Sequence, residues 1–184
     1  MLFSRHHYMA VLFLWGFYFF PTATVKSVDF LDTNIRIHGF LVADPCNLVM
    51  EDTSLVVDFG TIIDKYLYIN NRTHPKEFKI RLSDCVLAPD QGVRIGFIGT
   101  ENSNLPGFLA LDSGSSANHI GVGIQDDRGN FLPINKLASY YPLHNGFNTL
   151  TFSSYIEAEY NAIVEKKIGL GTFTATAVFI LDYD

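Results

Sequence analysis

Six histidines are the residues of this chain best suited to bind a metal ion or to transfer protons. They are His6, His7, His38, His74, His119 and His144. They lie in separate segments, and none is paired at a zinc-ligand spacing such as His-Glu-x-x-His. Histidines dispersed in this way are typical of surface positions, so we expect no metal site.

Three short motifs could suggest ion binding or catalysis, and each lacks a required part. Residues 126–130 are rich in aspartate, but they lack the acid spacing and the closing glutamate of an EF-hand, which favours a hairpin turn. Residues 121–123 contain two glycines without the lysine or the following helix of a phosphate loop. The serines at 113–116 do not follow a strand-to-helix turn, as a nucleophile elbow requires. We therefore expect no catalytic residue, no cofactor and no enzymatic activity.

Cys46 and Cys85 are the two cysteines of the chain. An isolated pair in an exported protein favours a single disulfide. The alternatives are two free thiols or half of a metal site, although neither cysteine has another cysteine or a histidine at zinc-ligand spacing. A disulfide would close a loop of about forty residues and stabilise the fold by roughly 3–4 kcal/mol.

The amino terminus has the layout of a secretory signal peptide. A weakly basic opening precedes an apolar run from residue 8 to residue 20, and Pro21 and small residues follow. The run spans about thirteen residues, whereas a membrane helix needs about twenty. A buried core helix is the alternative, but the run is apolar on all sides and has no helix cap. We expect residues 1–24 to be removed on export.

The charge of the exported chain argues against two classes of partner. Removing residues 1–24 takes away Arg5 and no acid, so the formal charge of −6 becomes one unit more negative. An acidic chain without a basic cluster is poorly suited to bind nucleic acid or an anionic membrane.

The remaining sequence is typical of an all-β domain. Short runs of alternating or apolar residues recur between Gly, Pro, Asn and Asp, and no long amphipathic helix is indicated. The expected strands lie within residues 28–30, 34–42, 55–59, 78–82, 93–98, 108–111, 120–125, 148–160 and 171–184, and residues 161–167 form the one short candidate helix. From residue 34 onward these ranges amount to seven or eight short strands in about 150 residues, which predicts a single β-sandwich domain.

The carboxyl-terminal segment, residues 171–184, has an apolar face along its whole length. The residues on this face are Phe173, Ala175, Ala177, Phe179, Leu181 and Tyr183. Threonines, Val178, Ile180 and Asp182 alternate with them, because successive side chains of a strand point to opposite faces. A long β-prone strand of this kind needs neighbours, since an unpaired apolar edge promotes aggregation.

The order of these features resembles that of the pilins assembled by the bacterial chaperone–usher pathway. The resemblance covers essentially the whole exported chain. It is carried by residues 35–46 up to the first cysteine, 56–60 with a terminal Phe59-Gly60, 78–85 up to the second cysteine, 93–99, 120–125, and 171–184 with Tyr183 next to last.

The resemblance implies a fold and a set of partners. The fold would be an immunoglobulin-like β-sandwich lacking its last strand, formed by residues 35–184 and completed by a donor strand from another protein. A periplasmic chaperone would supply that strand first, with Tyr183 and Asp184 as its point of attachment. A neighbouring pilin would supply it in the fibre, after assembly at an outer-membrane usher. The apolar face of residues 173–183 would form one wall of the acceptor groove.

Residues 25–34 would be this chain's own donor extension. The predicted inward face carries Val28, Phe30, Asp32 and Asn34, while Leu31 and Ile35 lie on the other face. Pilin extensions usually carry a glycine midway, and this one has none before Gly39. Because an acid pointing into an apolar pocket is costly, either Asp32 lies at a position without a pocket or the extension docks into a specialised partner. The departure points to a minor subunit rather than the main rod subunit.

The expected function is therefore that of a minor structural subunit of a surface fimbria that contributes to cell adhesion. An assembly terminator at the fimbrial base is one alternative. A tip adhesin that binds a host glycan is another, but the chain leaves no room for a lectin domain ahead of the pilin domain.

Overall fold

The computed structural model describes residues 44–183 of the chain. Its strands are β1 (Asn47–Leu48), β2 (Lys76–Cys85), β3 (Gly92–Gly99), β4 (Ile120–Asp126), β5 (Leu137–Pro142), β6 (Gly146–Ala158) and β7 (Ala177–Tyr183). Two short helices, α1 (Asp64–Asn70) and α2 (Tyr160–Glu165), and a 3-10 turn at Met50–Thr53 complete the described elements. No helix within residues 44–183 is both long and apolar enough to span a membrane.

The strands form two antiparallel sheets. One sheet has the order β1-β2-β6-β4, and the other has the order β5-β3-β7. In the first sheet Phe78 lies opposite Phe152. In the second sheet, β7 runs antiparallel to β3 along its whole length, and Phe97 lies opposite Phe179. The expectation of an all-β sandwich is confirmed.

The core lies between the two sheets and is built from the inward-facing residues of both. Phe152 is fully buried at its centre. Its ring packs edge-to-face on that of Phe97 at 5.4 Å between centroids, and the ring of Phe78 lies 5.8 Å away. Aromatic pairs at these distances add to the stability gained from burial alone. This cluster joins the two sheets near the middle of the sandwich.

Cys46 and Cys85 form a disulfide, as expected, with their Cα atoms 4.1 Å apart. The bond closes a loop with a sequence separation of 39 residues. On the chain-entropy model a loop of this size stabilises the fold by about 4 kcal/mol. The link fixes the start of the domain to the end of β2.

Two local expectations were wrong. Residues 55–59 and 108–111 were expected to be strands, but in the described structure the first is extended without a paired neighbour and the second makes only isolated bridges at Leu109. Strand assignment needs a hydrogen-bonded partner, which local alternation cannot supply.

The strand β5 was not anticipated. Its sequence ends in Tyr140, Tyr141 and Pro142 and has no regular apolar period, so its pairing with β3 decides its conformation. Helix α1 was also missed, because its seven residues are too few to show a helical period. Helix α2 agrees with the short helix expected at residues 161–167.

Candidate functional site

A long groove of about 910 Å³ opens between two extended segments at the edge of the sandwich. One wall, called here the early wall, is residues 54–62. The other, called the late wall, is residues 171–183, of which 171–177 and 179 line the groove and 177–183 form β7. The floor belongs to the core and consists of Phe78, Phe97, Leu109, Val122, Ile124 and Ser154.

The late wall has the alternation expected from its sequence. Its side chains alternate without a break between half-buried and exposed from residue 172 to residue 183. The six half-buried side chains pack against the core, and they are Phe173, Ala175, Ala177, Phe179, Leu181 and Tyr183. The structure thus places all six on the inner face. The role in binding that the sequence suggested for them is not tested by this placement.

The backbone of the late wall is hydrogen-bonded on its outer edge. The carbonyl oxygen of Thr174 accepts from the amide of Asp112 at 2.8 Å, and that of Thr172 accepts from Ser116 at 2.8 Å. Further along, β3 pairs with β7. Backbone groups of successive residues in a strand point to opposite edges. The amides and carbonyls of Phe173, Ala175 and the residues in phase with them therefore point into the groove.

The early wall is extended but makes no strand pairing within the described residues. Its side chains alternate, with Leu55, Val57 and Phe59 half-buried and Val56 and Asp58 exposed. The amide of Gly60 donates to the Asp58 carboxylate at 2.8 Å, and Lys76 Nζ donates to the Asp58 carbonyl oxygen at 2.5 Å. No backbone–backbone hydrogen bond of residues 54–62 occurs in the described structure. Both walls therefore present free backbone groups to the groove.

The two walls meet at one end of the groove. The rings of Phe59 and Phe173 lie 6.3 Å apart between centroids, with their planes tilted by 42°. Phe59 belongs to the early wall and Phe173 to the late wall, so their contact bridges the groove. Lys76 Nζ lies 6.0 Å from the Phe59 ring centroid.

The opposite end of the late wall carries Tyr183. Burial raises the pKa of its hydroxyl, and the nearby carboxylate of Asp44 raises it further. The phenol is therefore neutral over the physiological range. Asp184, the other residue of the expected chaperone attachment point, lies outside the described residues. So do the four donor-strand positions Val28, Phe30, Asp32 and Asn34, and the expected signal peptide at residues 1–24.

The other motifs form structural contacts. Asp126 accepts hydrogen bonds from the amides of Arg128 and Asn130 at 2.9 and 2.7 Å, which closes the expected turn. His119 Nδ1 lies 3.0 Å from Glu159 Oε2 beside a small polar recess of about 230 Å³. Within residues 44–183 no group of three or more His, Cys, Asp and Glu residues could hold a metal ion.

Sequence reasoning missed the groove floor and the meeting of its walls. Phe78 and Ile124 come from segments far apart along the chain, and no local signal indicates that they share a surface. The short apolar run that ends at Phe59 was recognised, but the position of Phe59 beside Phe173 depends on the tertiary fold.

Comparison with known proteins identifies the fold that carries this groove. The family model described as "Fimbrial protein" matches residues 34–184. The chain is 29% identical over 163 residues to the "Putative minor fimbrial subunit PmfF" of Proteus mirabilis, which covers 88% of this chain and 90% of that protein. It is 28% identical over 168 residues to the "Fimbrial adapter PapK" of Escherichia coli, covering 88% and 93% of the two chains.

A solved structure gives the same fold. A chain in the structure of a chaperone–usher pilus superimposes with a TM-score of 0.64 at 19% sequence identity, covering 88% of this chain and 99% of that one. At this identity the likeness establishes the fold, and the family model establishes the relationship. The chain therefore belongs to the fimbrial protein family and is a structural, non-enzymatic fimbrial subunit.

Proposed function

We propose that the chain is a minor fimbrial subunit whose groove accepts a donor strand from another protein. A periplasmic chaperone supplies this strand after export, and the amino-terminal extension of a neighbouring subunit replaces it at the outer-membrane usher. The observation that carries the proposal is the groove itself, in which two extended walls with free backbone groups flank an apolar floor.

The unpaired backbone groups on both walls favour a strand as the occupant of the groove. A strand inserted between the walls would bond to the amides and carbonyls of both, which is the recognition mode called β-augmentation. Unpaired backbone groups in a partly buried position are costly, and an open edge promotes aggregation. An added strand removes both costs.

The floor favours an apolar strand. Every second side chain of the inserted strand would enter the space above Phe97, Leu109 and Ile124. Burying one large apolar side chain contributes roughly 1.5–3 kcal/mol. Four or five such side chains would give a long-lived joint, even after the cost of ordering the strand.

Two observations support a minor position in the fimbria. The donor extension, residues 25–34, carries Asp32 and Asn34 in phase with Val28 and Phe30, which suits a specialised partner groove. Two similar proteins carry the names of a minor subunit and an adapter. On this basis the chain joins fimbrial segments and contributes to adhesion through the assembled fibre.

A terminator at the fimbrial base is the second candidate, and the contact between Phe59 and Phe173 favours it. A terminator accepts a chaperone strand but no further subunit's extension. Because the two rings bridge one end of the groove, a donor must displace them to occupy its full length.

Strand exchange distinguishes the two candidates. The chaperone-bound protein is mixed with donor peptides taken from sibling subunits, and release of the chaperone is measured for wild type, Phe173→Ala and the control Phe147→Ala, whose side chain is exposed on β6. Exchange in wild type supports an adapter. Refusal by wild type but acceptance by Phe173→Ala supports a terminator.

The same experiment can contradict the proposal. If neither wild type nor Phe173→Ala exchanges with any peptide, no neighbouring subunit's extension replaces the chaperone strand, and the contact between Phe59 and Phe173 is not what closes the groove. A mature monomer that folds cooperatively without a chaperone or a donor would likewise contradict it.

A further inference from the structure

The floor of the groove contains one polar side chain. Five of its six residues are apolar, and the sixth is Ser154, which is 4% exposed. The Ser154 hydroxyl donates to the carbonyl oxygen of Gly123 at 3.1 Å. Because a hydroxyl has one donor and two acceptor lone pairs, the Ser154 oxygen can still accept a hydrogen bond from a strand placed above it.

Lys76 is the cross-strand neighbour of Ser154. The two residues lie directly opposite each other in the register of β2 and β6. Lys76 is in phase with Phe78, a floor residue, so its side chain leaves β2 on the face that carries the groove. Directly opposite residues lie about 4.5–5.5 Å apart at their Cβ atoms, so the two side chains start side by side.

The ammonium group of Lys76 reaches the early wall. Its Nζ donates to the carbonyl oxygen of Asp58 at 2.5 Å and lies 6.0 Å from the ring centroid of Phe59. Both Asp58 and Phe59 line the groove. An ammonium has three N–H donors, and the Asp58 carbonyl takes one of them. Lys76 and Ser154 together are called here the polar subsite, and it lies at the end of the groove where the two walls meet.

We propose that the polar subsite selects a donor strand with one asparagine among its inward side chains, supplied by the extension of a neighbouring subunit. This inference rests on the proposed function of the groove. The amide NH₂ of the asparagine donates to the Ser154 oxygen, and its carbonyl oxygen accepts from Lys76. The other inward side chains of the donor are apolar, because they lie above Phe78, Phe97 and the aliphatic residues of the floor.

An apolar or an acidic side chain suits the polar subsite less well. An apolar group above Ser154 would cover the hydroxyl oxygen without giving it a partner. A carboxylate would attract Lys76, but it has no N–H for the Ser154 oxygen and it would lose hydration as it became buried. An amide meets both members of the subsite without burying a charge.

The predicted extension of this chain already mixes amide and apolar side chains. Asn34 is in phase with Val28 and Phe30 on the predicted inward face. Extensions of sibling subunits with a mixture of this kind are the ones we expect the groove to accept.

An asparagine scan of the donor tests the proposal. The parent peptide has valine at five inward positions and threonine between them, which suits the exposed threonines that line the late wall, Thr172, Thr174 and Thr176. Five further peptides each carry asparagine at one inward position. The concentration of each peptide that displaces half of the chaperone from the full mature chain is measured.

We expect the effect of asparagine to depend sharply on its position. Above the apolar floor it should weaken binding about tenfold, because its amide gains no partner. At the one position above Ser154 it should strengthen binding about threefold over the parent peptide, which corresponds to a net hydrogen bond.

Variants of the acceptor locate the preferred position. In Ser154→Ala and in Lys76→Met the threefold advantage of asparagine over valine should disappear, because each change removes one partner of the amide. Ser153→Ala and Lys79→Met are the matched controls, since these residues lie on the same two strands but on the opposite face of the sheet. Both controls should keep the advantage.

Two results would overturn the inference and leave the groove intact. One is weaker binding of asparagine at every inward position, and the other is an advantage that persists in both acceptor variants. If Ser154→Ala yields no chaperone complex, Lys76→Met decides, because Lys76 is exposed and methionine keeps an unbranched apolar side chain. If no peptide displaces the chaperone, including the parent, the proposed exchange at the groove fails as well.

Discussion

At the residue scale, Asp52 is the most deeply buried acidic side chain of the described residues. Asp52 lies in the 3-10 turn after β1 and is 2% exposed. Its carboxylate accepts hydrogen bonds from the Arg81 amide at 2.6 Å and from Arg81 Nη2 at 2.7 Å. The side-chain hydrogen bond from Arg81 is the main reason that the pKa of Asp52 is lowered from 3.8. The contact holds the chain after Cys46 against β2, ahead of the early wall.

Asp52→Asn should destabilise the donor-bound protein by about 1–3 kcal/mol at pH 7, since it removes a charge-assisted contact whose guanidinium is partly screened by solvent. Because the pKa of Asp52 is lower in the folded state, this stability is present above about pH 4 and is lost as the pH falls through the folded pKa. Urea unfolding of both proteins between pH 3 and pH 7 measures the difference.

The control for the Asp52→Asn variant is Glu77→Gln. Glu77 pairs with Lys79 at 3.0 Å, but both side chains are more than half exposed. Loss of the ion pair between Glu77 and Lys79 should change the free energy of unfolding by less than about 0.5 kcal/mol. An Asp52→Asn variant as stable as this control at pH 7 would show that the buried contact does not hold the early part of the domain in place.

At the element scale, the late wall is the feature that sequence predicted best. Its period of two persists for more than ten residues, and the structure shows the same alternation between Phe173 and Tyr183. The alternation of side chains follows from the backbone conformation of a single strand, so one segment of sequence is enough to predict it. The early wall has a similar pattern, but only the fold shows that it lies across a groove rather than beside a strand.

Replacing Phe179 with Asp should abolish accumulation of the protein in the periplasm. Phe179 lines the groove and lies opposite Phe97, whose ring contacts Phe152 in the core. A donor strand that covered this site would bury the carboxylate without giving it a partner. Because that burial is costly, the strand would bind poorly. Periplasmic extracts are probed for the subunit and for its chaperone complex.

Val164→Asp provides the comparison for Phe179→Asp. Val164 is exposed on α2, and an acid there remains in water. This variant should accumulate at the wild-type level. Normal amounts of chaperone complex with Phe179→Asp would refute the assignment of Phe179 to the groove's binding surface.

At the scale of the whole molecule, the extension of one subunit must reach the groove of another. Residues 25–34 lie outside the described residues, so the phase of this strand stays a prediction. The predicted inward face contains Val28 and Phe30 but also Asp32, and the opposite face has Leu31 and Ile35. The choice between the faces decides which side chains enter the partner's groove.

Two variants of the extension test its phase. If Phe30 points inward, Phe30→Asp should prevent incorporation of the subunit into fimbriae, because a charge would enter an apolar pocket. Leu31→Asp should then reduce incorporation only slightly. Fimbriae sheared from the cells are quantified by immunoblot, and whole-periplasm levels show that each variant is exported. The opposite result would mean that Leu31 and Ile35 form the inward face.

The sequence by itself determined the local features of this protein. The alternation of residues 171–183, the pair of cysteines and the order of strand-like segments were sufficient to predict a fimbrial β-sandwich with an open side. Only the tertiary structure decided which surfaces meet. It brought Phe59 against Phe173 and placed Leu109 and Ile124 in one floor. Alternation depends on the backbone of one segment, whereas a groove depends on how distant segments pack.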